Sequence, residues 1–253
     1  MASAMAAAIT GSPPGDTGQM SEHAHTPDAI FGADFWDERY RSAQRVWSGN
    51  PNPQLVAEVA GRPPGRALDV GCGEGADAIW LARAGWTVVG ADISGVALDR
   101  AARHARDTDP AAAARIEWRQ VDLIARPPER GSFDLVSAQF MQLPPERRTR
   151  LFTALAAAVA AGGMLLVVGH HPSDLATGVP RPPLPEVFYT PDEIAALLDD
   201  SWRVAVSEAR PRPATTPDGA EVTVHGTVLV AHPAGPLTAA PGRRNLRLPS
   251  ATA

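Results

Sequence analysis

The sequence has no lysine, a single cysteine and no long apolar run. All 23 basic residues are therefore arginines, which we attribute to genomic base composition. Cys72 alone cannot form an internal disulfide and suits a reducing compartment, so we expect a cytoplasmic protein. No apolar stretch approaches the roughly 20 residues of a membrane-spanning helix, so no membrane role is expected. The apolar start before Thr10 lacks a basic region and is interpreted as a flexible leader rather than a signal peptide.

An excess of acidic residues also limits the function. The net charge of -5 gives no reason to expect a nucleic-acid partner. A chain of 253 residues that is 44% hydrophobic can bury a full core. Both ends lack hydrophobic periodicity, so we predict a disordered leader at 1–28, a disordered tail at 233–253 and a single domain at 29–232.

The stretch from Arg66 to Ala76 predicts a strand, a glycine turn and a helix. Its apolar start breaks into glycines at alternate positions, Gly71, Gly73 and Gly75, before apolar residues recur at helical spacing. In α/β sheets such a turn brings backbone close to a ligand at the carboxyl end of a strand. Glycine is needed because a Cβ would obstruct that approach.

Acidic side chains around these glycines indicate the kind of ligand. Gly71, Gly73 and Ala76 also fit a loose dinucleotide pattern, so a nicotinamide-dependent oxidoreductase is one alternative. Asp69, Glu74 and Asp77 argue against it, because carboxylates would repel a pyrophosphate in a cleft of reduced dielectric. They favour a ligand with an ammonium and a sulfonium and no phosphate.

Strand and helix patterns alternate through the first five strands, which predicts a doubly wound α/β sheet. The last two strands are expected to form an antiparallel pair joined by a turn-rich segment at 211–219. The predicted strands are 67–70, 86–92, 116–121, 133–138, 164–169, 202–208 and 222–230. The predicted helices are 33–42, 53–59, 77–84, 95–106, 144–161 and 191–198, with 107–114 as a loop.

Two aspartates follow predicted strands. The Asp92 carboxylate could accept hydrogen bonds from two vicinal hydroxyls. It could instead cap the next helix, but Ser94 already suits that role, so ribose binding is favoured. Asp122 follows the third strand and could bind a ligand or begin a turn.

The segment from Ala67 to Gly75 resembles the first motif of the class I S-adenosylmethionine-dependent methyltransferases. That motif, hydrophobic-hydrophobic-D-x-G-x-G-x-G, is matched at every position, and further landmarks follow at Asp92, Asp122 and the strand from Phe133. The resemblance implies a mostly parallel seven-stranded sheet with helices on both faces and the last strand inserted antiparallel. It also implies S-adenosylmethionine as cofactor, lying across the first, second and fourth strands.

The resemblance further implies roles for individual residues. Asp69 would steer the methionine ammonium, Asp92 would hold ribose and Asp122 adenine, while the glycines give backbone access. The implied cofactor-binding set is Trp47, Asp69, Gly71, Cys72, Gly73, Asp92, Ile93, Asp122, Leu123 and Gln139.

The aromatic segment before the first strand is similar to one in the tellurite-resistance and thiopurine branch of this family. A W-D-x-R-Y…W pattern runs from Trp36 through Tyr40 to Trp47, and the resemblance implies an N-terminal helical lid at 29–60. Tyr40 would then lie on the substrate side. Plain packing of an N-terminal arm is the alternative.

The acceptor side is less defined by sequence. After the fourth strand the chain has Gln139 and Phe140 where enzymes that methylate amides carry N/D-P-P-Y/F, which argues against DNA adenine or glutamine as acceptor. Phe140 could line the methyl-donor end or pack in the core. His170 and His171 end the fifth strand, and one could act as a general base or simply lie in a loop. No metal site is expected.

These expectations define a small-molecule methyltransferase acting by in-line displacement. The acceptor could be a thiol, oxyanion, hydroxyl or amine. A binding module that holds the cofactor without turnover remains a second alternative beside the oxidoreductase.

Overall fold

The computed structural model describes residues 29–234, so the predicted leader and nearly all of the predicted tail lie outside the described residues. Seven strands form one sheet in the order β3-β2-β1-β4-β5-β7-β6. Strands β1 to β5 pair in parallel, and β7 lies antiparallel between β5 and β6, as the resemblance implied. The strands are β1 Arg66–Val70, β2 Thr87–Asp92, β3 Ile116–Gln120, β4 Phe133–Gln139, β5 Val159–His170, β6 Trp202–Thr215 and β7 Glu221–Pro233.

Helices cover both faces of this sheet. They are α1 Ala33–Arg41, α2 Pro53–Val59, α3 Ala76–Arg83, α4 Gly95–Thr108, α5 Pro110–Ala113, α6 Pro145–Ala158 and α7 Pro191–Ala195. Short 3₁₀ helices occupy Ala29–Phe31, Pro172–Ala176 and Pro185–Val187. None of the helices in this part of the chain is long and apolar enough to span a bilayer.

Alternating side chains along each strand produce two core layers. Leu68, Val136 and Leu165 point to the face covered by α6 and α7. Ala67, Leu135 and other residues of the opposite register point to the face covered by α2 and α3. The central strands therefore read as continuous apolar runs, because both faces are buried.

Local signals predicted several helix starts correctly. Ser94 Oγ accepts a hydrogen bond from Ala97 N (3.1 Å) and caps α4. Thr190 and Glu193 form the predicted reciprocal capping box of α7.

The structure corrects the boundary between α6 and β5. The helix predicted over 144–161 ends at Ala158, and residues 161–163 lie within β5. Val159 pairs with Phe133 while Met164 pairs with Leu135, so the strand bulges there. Apolar alanines suit either element, and pairing with β4 decides between them. The short helix α5 lies in the predicted loop 107–114, and α7 ends at Ala195 rather than near 198.

The predicted turn at 211–219 is also wrong in its first half. Strand β6 continues to Thr215 through Pro211 and Pro213, which pair with His225 and Thr223. Proline is tolerated because β6 is an edge strand with β7 on one side only, and its missing N–H costs no bond on the open side. The extension matters for function, because it carries Arg210 and Arg212 to the edge where β1, β2, β4 and β5 end.

Candidate active site

A cavity of about 500 Å³ lies at the carboxyl edge of the parallel strands. It is lined by the glycine loop, by α1 and the segment after it, and by residues of β6 and β7. Of the residues predicted from sequence, those lining it are Tyr40, Trp47, Gly71, Cys72, Gly73, Asp92, Ile93, Asp122, Leu123, Gln139, Phe140 and His170. Asp69 and His171 do not line it. Its volume lies in the range typical of small-ligand sites.

The glycine loop adopts a conformation that side chains would block. Gly71 has a φ of +64°, and a Cβ there would lie 2.6 Å from Met141 Sδ. Gly73 has a φ of +52°, and a Cβ would lie 2.8 Å from the Tyr40 hydroxyl. Gly71 N donates to Ala91 O (2.8 Å), which ties the loop to β2. The loop therefore presents backbone directly to the cavity.

The N-terminal arm is fastened onto this loop. Trp47 Nε1 donates to the Tyr40 hydroxyl (2.8 Å), and both side chains line the cavity. Glu74 Oε2 accepts hydrogen bonds from Val46 N and Trp47 N (both 3.1 Å). Arg100 Nη1 lies 3.2 Å from Glu74 Oε1. Glu74, which the sequence argument counted as repelling phosphate, is thus neutralised by Arg100 and holds the arm in place.

Three other carboxyl groups beside the loop have no cationic partner among the described residues. Asp69, Asp77 and Asp92 form no ion pair within residues 29–234. Asp69 is buried, and its Oδ2 has no hydrogen-bond partner. Burial, reinforced by the charges of Asp77 and Asp92, raises the pKa of Asp69 well above its usual range. Burial raises the pKa of Asp77 to about 6, although its Oδ1 accepts from Asn52 N (2.6 Å).

Asp92 connects the loop to helix α4. Its Oδ2 accepts from Gly73 N and its Oδ1 from Ser94 N (both 2.8 Å). Burial raises the pKa of Asp92, and these two bonds partly offset the rise. The same carboxylate lines the cavity, so a role within the loop and contact with a ligand are compatible.

Asp122 performs the turn-forming role considered from sequence. Its Oδ1 accepts hydrogen bonds from Ile124 N (2.8 Å) and Ala125 N (3.3 Å). Its side chain still lines the cavity beside Leu123, with Ile93 on the neighbouring strand end. A turn that begins at Asp122 therefore also presents polar and apolar surface to a ligand.

The other end of the cavity is formed by β4 and β5. Phe140 has a φ of +57°, a strained value for an aromatic residue, and its N–H donates to Val168 O (2.7 Å). The Phe140 and His170 rings lie 4.8 Å apart between centroids. Burial, with the charges of Arg181 and Arg212, lowers the pKa of His170 well below its usual range, so its imidazole is neutral.

His171 lies outside this cavity. Its Nδ1 is 2.9 Å from Ser173 Oγ, and the same hydroxyl is 3.3 Å from His225 Nδ1. The structure therefore separates two histidines that the sequence could not distinguish. Burial, with the charges of Asp92 and Asp69, raises the pKa of Cys72, which favours the thiol over a reactive thiolate.

Several cavity residues were missed from sequence. Asn52 Nδ2 donates to Gln139 Oε1 (2.8 Å), which orients the Gln139 amide. Arg210 and Arg212 of β6 and His225 and Gly226 of β7 also line the cavity. The alternation of arginine and proline at 210–213 could have predicted this edge strand, because it fits an edge strand as well as a turn.

Comparison with known proteins agrees with this geometry. Residues 67–163 match the model of a methyltransferase domain family. The 2-heptyl-1-hydroxyquinolin-4(1H)-one methyltransferase of Mycobacteroides abscessus is 35% identical over 83 residues, covering 29% of this chain. The chain thus spans only 37% of that relative's length.

Two solved structures show the same fold over most of the chain. TehB from Haemophilus influenzae has a TM-score of 0.58 at 18% identity, covering 79% of this chain and 66% of its own. A protein solved in work on the conversion of a disulfide bond into a thioacetal group during echinomycin biosynthesis has a TM-score of 0.61 at 24% identity. That match covers 79% of this chain and 92% of the other.

The domain match, the relatives and the sheet order agree with the motif at the glycine loop. Residues 67–163 of this chain therefore match a methyltransferase domain, and this match supports a class I methyltransferase fold with S-adenosylmethionine as the cofactor.

Proposed function

We propose that this protein transfers a methyl group from S-adenosylmethionine to a small-molecule acceptor by in-line displacement. The observation that carries the proposal is one continuous cavity with two different ends. One end has the glycine loop and unpaired carboxyl groups, and the other has apolar side chains with a neutral histidine. The name of the Mycobacteroides abscessus relative supports an aromatic acceptor of modest size.

The residues present fit this cofactor. A Cβ at Gly71 or Gly73 would fill the cradle that the loop leaves open. The orphaned Asp69 Oδ2 and the partly ionised Asp77 suit a cationic ammonium nearby, since a positive charge would favour their ionised forms. In this proposal Asp92 holds the ribose hydroxyls, and Asp122, Leu123 and Ile93 contact the base. When bound, S-adenosylmethionine supplies a methyl group activated by its positively charged sulfur.

The chain's own contribution is alignment and exclusion of water. Tyr40, Trp47 and Met141 lie against the glycine loop, while Phe140 forms apolar wall beside His170. Orientation of reacting groups can lower a barrier by roughly 7–11 kcal/mol. Because the arm is bonded to Glu74 inside the loop, cofactor contact and closure of the cavity depend on the same segment.

His170 is the proposed proton acceptor for hydroxyl or amine acceptors. Its lowered pKa keeps the imidazole neutral and able to accept a hydrogen bond. An O–H or N–H becomes strongly acidic as its oxygen or nitrogen bonds to a new methyl group, so even a weakly basic imidazole can take the proton at that stage. A thiolate acceptor carries no such proton and needs no base.

Calorimetry and an acceptor screen test this function. We expect S-adenosylhomocysteine to bind and NAD to give no heat, and we expect S-adenosylhomocysteine release with at least one acceptor among thiols, phenols, amines and oxyanions. Binding of NAD without S-adenosylhomocysteine, or cofactor binding with no transfer across the whole screen, would contradict the proposal.

A pair of histidine variants tests the proton acceptor. His170→Ala should lower kcat with a hydroxyl acceptor by about 100-fold, a typical effect of losing a general base, and leave thiolate methylation nearly unchanged. His171→Ala is the matched control, because its ring lies outside the cavity. Equal losses in both variants would assign the effect to the loop rather than to His170.

A further inference from the structure

Two arginines of β6, Arg210 and Arg212, line the cavity at the side away from β2. His170 of β5 and His225 and Gly226 of β7 line the same side, and Gly226 pairs with both His170 and Arg210. Asp92 ends β2, which is separated from β6 by β1, β4, β5 and β7 in the sheet order. An acceptor that reaches the β6 side of the cavity therefore meets the guanidinium groups of Arg210 and Arg212.

The guanidinium of Arg210 forms ion pairs and a hydrogen bond with neighbouring side chains. Its Nη2 lies 2.6 Å from Glu58 Oε1, and its Nε lies 2.7 Å from Glu208 Oε2. Its Nη1 donates to Gln54 Oε1 (2.7 Å). These contacts neutralise the guanidinium and fix it as part of the wall.

Arg212 lacks the side-chain contacts that Arg210 makes. Within residues 29–234 it makes no ion pair and no side-chain hydrogen bond, although it is partly buried. The neighbouring carboxylate, Asp174, is buried against Arg181, whose Nη2 and Nε lie 2.6 Å and 3.1 Å from Asp174 Oδ2. Asp174 Oδ1 accepts from His225 N (2.7 Å). Two guanidinium groups thus share one carboxylate, and one positive charge is left over.

This excess charge is held in a partly dehydrated place. Burial, together with the positive charge of Arg181, lowers the pKa of Arg212. An anion beside Arg212 would offset the repulsion between the two guanidinium groups. A guanidinium also binds carboxylates and related oxyanions with two parallel N–H donors, which suits it to recognise such groups.

The sheet leaves room for a ligand to reach Arg212. Gly226 of β7 pairs with both His170 of β5 and Arg210 of β6, so it lies between them in one row of the sheet. A Cβ added at Gly226 would meet only Gly169 O, at 3.8 Å. The missing side chain keeps an open path from the His170 side of the cavity toward β6.

From these contacts we propose that the methyl acceptor carries an anionic group, a carboxylate or similar oxyanion, which Arg212 binds at the β6 end of the cavity. The inference rests on the proposed methyl transfer and adds the substrate class. Apolar walls at Phe140, Met141 and Leu143 suit an aromatic or aliphatic body. Arg212 is thereby a specificity residue, and the reacting atom of the acceptor lies toward His170.

The test compares a carboxylate with its neutral isostere. The probes are 2-naphthoate and 2-naphthamide, titrated into the full-length protein with and without saturating S-adenosylhomocysteine. We expect naphthoate to bind on the order of 10-fold more tightly than naphthamide, the usual gain from one charge-assisted hydrogen-bond partner. Equal affinities, or binding of neither probe, would overturn the proposal.

Variants localise the preference. Arg212→Met should remove the preference for naphthoate, and Arg212→Lys should retain part of it. Arg203→Met is the matched control, because Arg203 is an exposed arginine on the same strand. A preference unchanged in Arg212→Met, with a normal unfolding temperature, would place the anion elsewhere and refute the role of Arg212.

A second variant tests the position of the pocket without changing any charge. Gly226→Val fills the open path and should weaken both naphthoate and naphthamide while leaving S-adenosylhomocysteine affinity intact. Unchanged probe binding in this variant would contradict the position of the pocket. Failure of the wild-type protein to bind S-adenosylhomocysteine would instead refute the methyltransferase proposal, and the naphthoate preference would still be measurable in cofactor-free protein.

Discussion

Asp77→Asn should make the cofactor-free protein more stable and its cofactor binding weaker. Asp77 lies in the first turn of helix α3, and its Oδ1 accepts from Asn52 N (2.6 Å). An asparagine Oδ1 can keep that bond, so the substitution removes charge with little change of shape. It also removes a negative charge that raises the pKa of the buried Asp69.

The size of the stabilisation follows from the pKa of Asp77. Burial raises it from the ordinary 3.8 to about 6. That difference is equivalent to about 3 kcal/mol of unfolding free energy at pH 7, since one pKa unit equals about 1.4 kcal/mol. Loss of a carboxylate at a helix N-terminus costs about 0.3–1 kcal/mol, so we expect a net gain of about 2 kcal/mol. For a domain of this size the gain raises Tm by roughly 4–8 °C.

The stability difference between the variant and the wild-type protein should depend on pH. A carboxyl group whose pKa is higher in the folded state binds more protons when folded, so the wild-type protein loses stability as pH rises from about 4 to about 6. The variant lacks this loss. The difference in Tm should therefore be near zero or slightly negative at pH 4 and complete at pH 7.

The assay is thermal unfolding between pH 4 and pH 7.5, with S-adenosylhomocysteine titrations at pH 7.5. We expect the variant to bind the cofactor product on the order of 10-fold more weakly, equivalent to about 1.4 kcal/mol. Asp99→Asn is the matched control, because Asp99 is exposed on α4. A Tm difference that is the same at pH 4 and pH 7, or an unchanged affinity, would refute the reasoning.

Three further predictions concern the arm, the second strand and the buried ion pair. Tyr40→Phe removes the acceptor of Trp47 Nε1 and should cost about 1–3 kcal/mol of stability in thermal unfolding; cofactor affinity should fall with it, and no change in either would show that the arm is not fastened there. Asp92→Ala should weaken S-adenosylhomocysteine binding by calorimetry while circular dichroism shows the sheet retained, and full affinity would exclude the ribose assignment. Arg181→Met removes the ion-pair partner of the buried Asp174, which keeps only its hydrogen bond from His225 N, and should cost about 3–5 kcal/mol in denaturant unfolding, whereas a loss below about 1 kcal/mol would contradict the buried pair.

The sequence predicted elements well where local pattern and tertiary context agree. The strand at Phe133 and the Thr190 capping box have local signals that packing does not override. The boundary after Ala158 failed because alanine and glycine suit helix and strand alike, and pairing with β4 decided it. The turn assigned to Pro211 failed because an edge strand tolerates proline.

The residues of the candidate site also fall into those that the sequence predicted and those that it did not. The glycine loop and Asp92 lie close together along the chain, so their spacing predicted that both belong to the site. Arg212, Asn52 and Gly226 come from separate segments, and sequence gave no sign that they share a cavity.

What the sequence determined by itself was the alternating α/β architecture and the glycine loop after β1, because hydrophobic alternation and the D-x-G-x-G-x-G spacing act over a few residues. The tertiary structure alone decided which histidine faces the cavity, that Arg100 neutralises Glu74, and that Arg212 has no anionic partner among the described residues. These properties depend on burial and on charges brought together from distant parts of the chain. Burial and long-range charge contacts cannot be predicted from neighbouring residues in the sequence, because electrostatic energy depends on distance in space and on exclusion of water.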